Sequence, residues 1–397
     1  MRVDLNSPVE ASGKIEPNPR FIAHAETIKF LVGKGAKTVV LAHQGRNGQE
    51  DCISLSQHAK LLSKLIGKKI LFSPDREVVS TKTLKAVASL KAGEVMLLDN
   101  VRFLDDEALE RSVEEHAKSS LVHALAPLAQ LFVQDAWSNS HRKHASMVGF
   151  ASSLPCAMGP VFQRELEAAR RARENASHPV TYILGGVKPE EVLKLMEYAL
   201  KNQVADKILT TGVIGELCLL ARGNKLPEAK MQWLKENKFL PHLLFVRDLI
   251  HTFHEFIETP FDFAYEGDDG QRHEVMLTQL PFCEKPIFDI GTKTARKYSK
   301  AVMNSRTVFI KGPCGKYEEK PFEHGTRTVL EAIANSKAYS LTGGGHTLAA
   351  MLKFGIPESK LSFVSLAGGA LLEFLQGNEL PAFTALQYAC KKFGNRL

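Results

Sequence analysis

The feature that most constrains this chain is an alternation. Short apolar runs recur along it, each followed by a polar or glycine-rich loop and then by a helical pattern. The first series contains 37–42 (KTVVLA), 94–98 (EVMLL) and 131–133 (LFV). The second contains 179–184 (PVTYIL), 207–209, 243–246, 307–310, 338–341 and 361–365. Buried strands alternating with helices predict parallel sheets covered on both faces. Between the two series lies 162–176 (FQRELEAARRARENA), long, charged and amphipathic with Leu166 and Ala169 on one side. It reads as an exposed linking helix. The least legible stretch is 229–289, where 267–270 (GDDG) marks a turn in an expected hairpin insertion.

At 397 residues the chain suits two domains of roughly 150–200 residues. No apolar run reaches the ~20 residues of a membrane helix, and the first ten residues lack the core of a signal peptide. A cytoplasmic location is expected. The six cysteines form no CxxC pair and no metal spacing, as reduced thiols would not. The net charge is +7, but basic residues are mixed with acidic ones, without a basic stripe carrying aromatics. That argues against nucleic acid and for an anionic small molecule.

In open parallel sheets, ligands bind where strands end. In the first half those places hold Asp4 and Asn6, then 42–46 (AHQGR), 100–103 (NVRF) and 135–144 (DAWSNSHRKH), with Arg20 opening the first long helix. Arg20, Arg46, Arg102 and Arg142, with His43 and His141, therefore converge on one small sheet. Guanidinium groups so gathered repel one another unless an anion lies between them, and arginine grips phosphate and carboxylate through two bonds. The second half has glycine turns instead: 184–188 (LGGVK), 312–315 (GPCG), 342–346 (TGGGH) and 367–370 (AGGA). Such turns let backbone amides approach phosphate. None matches the P-loop or the GxGxxG fingerprint. No nucleophile–base order and no HExxH motif stands out. A carboxylate acceptor needs no general base at about pH 7, because it is already ionised.

In order, these motifs resemble the phosphoglycerate kinase family along nearly the whole chain. RVDLNSP at 2–8 is similar to its first loop, AHQGR to SHLGRP, LDNVRF to LENVRF and DAWSNSHR to DAFGTAHR. LGGVK resembles LGGAK, FDIGTKT resembles DIGPKT, KGPCGKYE resembles NGPMGVFE, and SLAGGALLEFLQG resembles STGGGASLELLEG. AHQGR and GGGHT look like the archaeal branch.

The resemblance implies two doubly wound, Rossmann-like α/β domains joined by a hinge helix, which closes to bring the substrates together. One domain, 1–160, would bind 3-phosphoglycerate, with the segment 378–397 packing back on it. The other, 161–377, would bind the nucleotide. It implies reversible transfer between ATP and the carboxylate of 3-phosphoglycerate, giving ADP and 1,3-bisphosphoglycerate, with Mg²⁺ accompanying the nucleotide and no metal ligand assigned. Asp4, Asn6, Arg20, His43, Arg46, Arg102 and Arg142 would hold the acyl substrate. Arg20 and Lys188 would steady the moving phosphoryl. Gly186, Gly212, Pro313 and Glu318 would line the adenosine pocket. Gly343, Gly344, Gly345 and Thr347 would cradle phosphates, and Gly368 and Gly369 would open the helix at the transfer point. Small-molecule partners and a monomer or small homo-oligomer are expected.

Where the family carries Asn, Lys, Asp and Gly, this chain has Lys311, Val192, His346 and Ala367. These departures keep open an alternative, a catalytically weak or inactive member acting as a metabolite sensor.

Overall fold

The structure is a computed structural model that describes residues 1–394; the last three residues of the 378–397 segment lie outside it. The chain forms two compact units. One is Met1–Glu167 together with the segment from Asn378, and the other is Ala168–Gly377.

In the first unit, β1 (Thr38–Val40), β2 (Leu71–Ser73) and β3 (Val95–Leu98) form a parallel sheet in the order β1-β3-β2. β4 (Phe132–Gln134) and β5 (Cys156–Met158) form a parallel pair. Residues 1–3 join the two patches. Arg2 bridges in parallel to Leu41 on one side and Gln134 on the other. Its amide donates to Val133 O at 2.8 Å, and that of Val3 to Leu41 O at 3.0 Å. The opening residues thus lie between β1 and β4, and Asp4 emerges from the middle of the layer.

The helix Pro19–Gly33 starts where Asn18 accepts from the amides of Arg20 and Phe21, with proline in the first turn. It buries Phe21, Ala25 and Ile28, one stripe at helical spacing, against the apolar residues of the sheet. That anchoring fixes Arg20 at the helix mouth. The helix Pro381–Phe393 also packs in this unit. It buries Ala382, Ala385, Leu386 and Ala389, and Ala382 N donates to Ser140 O at 3.0 Å.

The second unit carries a six-stranded sheet of β6 (Val180–Leu184), β7 (Lys207–Thr210), β8 (Ile257–Glu258), β12 (Thr307–Lys311), β13 (Tyr339–Gly343) and β14 (Phe363–Ser365). All its pairs are parallel, in the order β14-β13-β12-β6-β7-β8. The chain runs outward one way from β6 and the other way from β12. The order therefore reverses between these two strands, the place where doubly wound sheets bind ligands. All five residues of β6 are buried, as a central strand covered on both faces requires. A second, antiparallel sheet pairs β9 (Asp262–Glu266) with β10 (Arg272–Met276) and β11 (Ile287–Ile290). The expected GDDG turn joins β9 to β10.

Two expectations are corrected. Residues 243–246 are not a strand but open the helix Leu243–Phe253, whose buried positions Val246, Leu249 and Ile250 follow helical spacing. The linking helix spans Pro160–Arg173 rather than 162–176, while its expected apolar side holds: Leu166 and Ala169 are buried, with Phe162 and Ala172 beside them. Among the described residues, no helix is long and apolar enough to cross a membrane.

Candidate functional site

In the first unit the predicted residues gather at the C-terminal ends of the strands. Asp4 is buried. Its Oδ2 pairs with Arg20 Nη1 at 3.0 Å and accepts from the Ser138 hydroxyl, while its Oδ1 accepts from Asn6 N at 3.0 Å. Burial works against ionisation of Asp4. Arg20, helped by the Ser138 and Asn6 hydrogen bonds among others, outweighs it and holds the carboxyl well below the usual carboxylate range.

Asn6 Oδ1 accepts from Gly45 N at 2.8 Å, and Gly45 O accepts from Arg102 Nη1 at 2.7 Å. The loop after β1, which carries Arg46, is so tied both to the first loop and to the loop after β3. His43 is buried with Nδ1 3.0 Å from Arg2 Nη2. Burial, then the Arg2 charge, holds its imidazole far below the ordinary histidine value and keeps it neutral.

Arg46, Arg102 and Arg142 are ion-paired with no carboxylate among the described residues. Burial and then the neighbouring Arg142 lower the pKa of Arg102. The same charges act on His144, which burial, Arg102 and Arg142 push down to about 3. This mouth carries an excess of positive charge set on rigid strand ends, a surface made for a small polyanion.

Sequence reasoning did not single out Arg2, Ser138, Gln44 and Asn100. Asn100 Nδ2 donates to Gln44 O at 2.7 Å, and Gln44 Nε2 to Ser7 O at 2.9 Å. These buried amides lock the loops that present the charged groups. All four lie within the motifs quoted from the sequence, but only the tertiary fold shows which groups they hold.

In the second unit the turns after β6 and β12 meet backbone to backbone. A Cβ on Gly312 would lie 2.5 Å from Gly185 O and 2.9 Å from Gly186 N, and Gly312 has φ +80°. Gly212, φ +50°, opens the helix Gly212–Ala221, and a Cβ there would lie 3.0 Å from Gly186 N. No residue with a side chain fits these contacts.

Beside them lies a cavity of about 690 Å³, lined in part by Gly186, Gly212, Pro313, Glu318, Trp233 and Phe263. This volume and largely apolar lining suit a small organic ligand. Glu318 is exposed at the rim, its Oε1 3.9 Å from His346 Nδ1. Glu216 and Lys230, also unforeseen, form a buried pair on the wall at 2.9 Å. Burial raises the Glu216 pKa against the pull of Lys230.

Lys188 stands just before Pro189, which starts the helix Pro189–Lys201. It is exposed and, among the described residues, paired with no carboxylate. Gly343 ends β13, Gly344 has φ +105°, and Gly345 begins the helix Gly345–Phe354. Thr347, in its first turn, is buried with Oγ1 lacking any hydrogen-bond partner. Gly368 and Gly369 stand at the start of Gly369–Leu375. Of the 343–347 turn only His346 lines the cavity; Lys188, Gly343, Gly344, Gly345, Thr347, Gly368 and Gly369 are not among its lining residues.

A family model described as phosphoglycerate kinase matches residues 1–378. The phosphoglycerate kinase of Methanothermobacter thermautotrophicus is 39% identical over 98% of this chain and 93% of its own length. That of Thermococcus kodakarensis is 36% identical over 100% and 96%. Among solved structures, the Pyrococcus horikoshii OT3 phosphoglycerate kinase superposes with a TM-score of 0.88 at 37% identity, covering 99% of this chain and 96% of that one. The Coxiella burnetii phosphoglycerate kinase gives 0.80 at 31% identity, covering 98% and 95%. With this sequence likeness spanning both sheets, their switch-point turns and the arginine-lined strand ends, the chain belongs to the phosphoglycerate kinase family.

Proposed function

We propose that this chain performs the family's phosphotransfer with ATP as donor and the carboxylate of 3-phosphoglycerate as acceptor. Asp4, Asn6, Arg20, His43, Arg46, Arg102 and Arg142 hold the acyl substrate. The observation that carries the assignment is the group Arg46, Arg102 and Arg142, which lacks carboxylate partners among the described residues and, like the Arg20–Asp4 pair, sits at the strand-end loops of the first unit. Such charges on fixed strand ends are stabilised by a ligand bearing phosphate and carboxylate. The resemblance to kinases over nearly the full length favours this reading over the sensor alternative.

The chemistry needs no proton transfer. A carboxylate oxygen of the acceptor forms a bond to the terminal phosphorus as the bond from that phosphorus to the bridging oxygen breaks, and the electron pair leaves with ADP. The protein's work is positioning, charge neutralisation and exclusion of water. Arg20, oriented by Asp4, neutralises the oxygens of the moving phosphoryl. Lys188 does so from the nucleotide side. Gly186, Gly212, Pro313 and Glu318 receive the nucleoside, and Gly343, Gly344, Gly345 and Thr347 the phosphates, with Gly368 and Gly369 near the transfer point. His346 offers an imidazole where a hard cation favours oxygen, and no cluster of three acidic, His or Cys ligands occurs among the described residues. We take magnesium to enter as part of the nucleotide substrate. We place the protein in the cytoplasm as a monomer or small homo-oligomer.

The test is a coupled assay of ADP formation from MgATP and 3-phosphoglycerate, with the acyl phosphate drawn off by a dehydrogenase. Turnover requiring both substrates supports the reading. Binding of 3-phosphoglycerate without turnover would return the sensor.

A further inference from the structure

The ammonium of Lys311 has no task in this scheme, yet its setting is unusual. Lys311 ends β12, beside the switch point. A Cβ built on Gly344 would lie 3.2 Å from its Nζ, and one on Gly368 3.9 Å. The charge thus sits over the bare backbone of the turns that follow β13 and β14. Among the described residues it makes no hydrogen bond and no ion pair. Burial is the main influence lowering its pKa, repulsion from Lys188 adds to that, and Glu191 opposes it.

A largely buried ammonium without an anion costs stability. Two further donor groups of the same turn also lack partners. The helix Gly345–Phe354 has no side-chain cap, so its first amides have no intrahelical acceptor. The Thr347 hydroxyl is buried and unpartnered. An ammonium, a helix N-terminus and a hydroxyl, all unsatisfied around one glycine turn, describe a site for a phosphate group.

We infer that Lys311 binds the terminal phosphate of the nucleotide over Gly344 and neutralises it during transfer. This rests on the nucleotide reading of the second unit and deepens it. Lysine suits the task as a compact point charge on a stem that reaches past two glycines. It need donate no proton, since the phosphoryl moves from oxygen to oxygen. Position 311, where the family's motif has asparagine, becomes part of the working machinery.

The experiment compares the full-length protein with Lys311→Met and Lys311→Gln by steady-state kinetics, by calorimetry with ATP and adenosine, and by thermal melting without ligand. Both variants should lose on the order of 10²-fold in kcat/KM for ATP, the scale of one preorganised charge at a reacting oxyanion. Adenosine affinity and the KM for 3-phosphoglycerate should change by less than about twofold. The ligand-free melting temperature should hold or rise, because an unpaired charge has been removed. A loss of less than about threefold in kcat/KM would overturn the role. So would a lowered melting temperature with a parallel loss of adenosine binding, since that marks a structural residue. Wild-type protein that neither binds ATP nor turns over would sink the nucleotide reading itself, whereas an active wild type with active variants would sink Lys311 alone.

Discussion

Arg20 and Asp4 form an ion pair of unequal partners: Nη1 and Oδ2 lie 3.0 Å apart, the carboxylate is 2% exposed and the guanidinium 31%. Asp4 is fixed from behind by Ser138 and Asn6, so it aims Arg20 from a rigid base. Arg20→Ala should lower kcat by about 10²- to 10³-fold while the dissociation constant for ATP moves by less than about threefold. Steady-state kinetics beside calorimetry checks this, and an unchanged kcat removes Arg20 from the reaction. Because Asp4 keeps its two other hydrogen bonds, the loss of stability should stay near ~1–2 kcal/mol in urea denaturation.

Lys188 should act on the donor. Lys188→Ala is expected to slow transfer about 10²-fold and to leave 3-phosphoglycerate binding intact by titration. Loss of 3-phosphoglycerate affinity with ATP affinity preserved would put this lysine with the acyl substrate instead.

Glu107 is a buried carboxyl that accepts from the Ser146 hydroxyl at 2.6 Å and the Ser146 amide at 2.9 Å. Burial pushes its pKa from 4.5 up to about 7, against the pull of Arg2 and Ser146. Across that window the folded chain keeps a proton that the unfolded chain has released. Stability therefore falls as pH rises from about 4.5 to about 7, and the penalty is constant above. Glu107→Gln should be more stable relative to wild type at about pH 8 than at about pH 5, by ~1–3 kcal/mol in urea denaturation. An equal difference at both pH values would show that Glu107 is not the titrating group.

Gly312→Ala tests the contact at the switch point. The new methyl would meet Gly185 O at 2.5 Å, from a residue with φ +80°. Neither backbone can yield without moving β6 or β12. The variant should lose more than ~2 kcal/mol and bind ATP more weakly. A melting temperature equal to that of wild type would mean the turns separate easily.

The α/β alternation was legible wherever a strand is buried on both faces, as in 180–184 and 307–310, because such strands must be continuous apolar runs. It failed at β2 and β5, whose residues are all only partly buried. It also failed at 243–246, where an apolar tetrad reads equally as strand or helix. Spacing decides that case: Val246, Leu249 and Ile250 are buried while Leu244 is 72% exposed. The arginines and glycines were legible because they follow strands in sequence. Ser138 on Asp4 and Lys230 on Glu216 were not, since each pairing is made by the fold across a gap in the chain that no local pattern marks.

The first unit is completed by residues that follow the whole of the second. Ala382 N reaches Ser140 O, and Lys392 Nζ donates to Ser152 O at 2.8 Å, partners 240 residues apart. Contacts of such separation form late, since a long loop must close before they contribute. During synthesis the second unit, continuous from Ala168 to Gly377, can finish folding while the first still lacks its closing helix. A copy of the first unit cut at Glu167 would leave bare the surface that covers Ala385 and Leu386. The acyl-binding half is therefore not a detachable cassette: its last fastening is delivered only after the nucleotide half has been made.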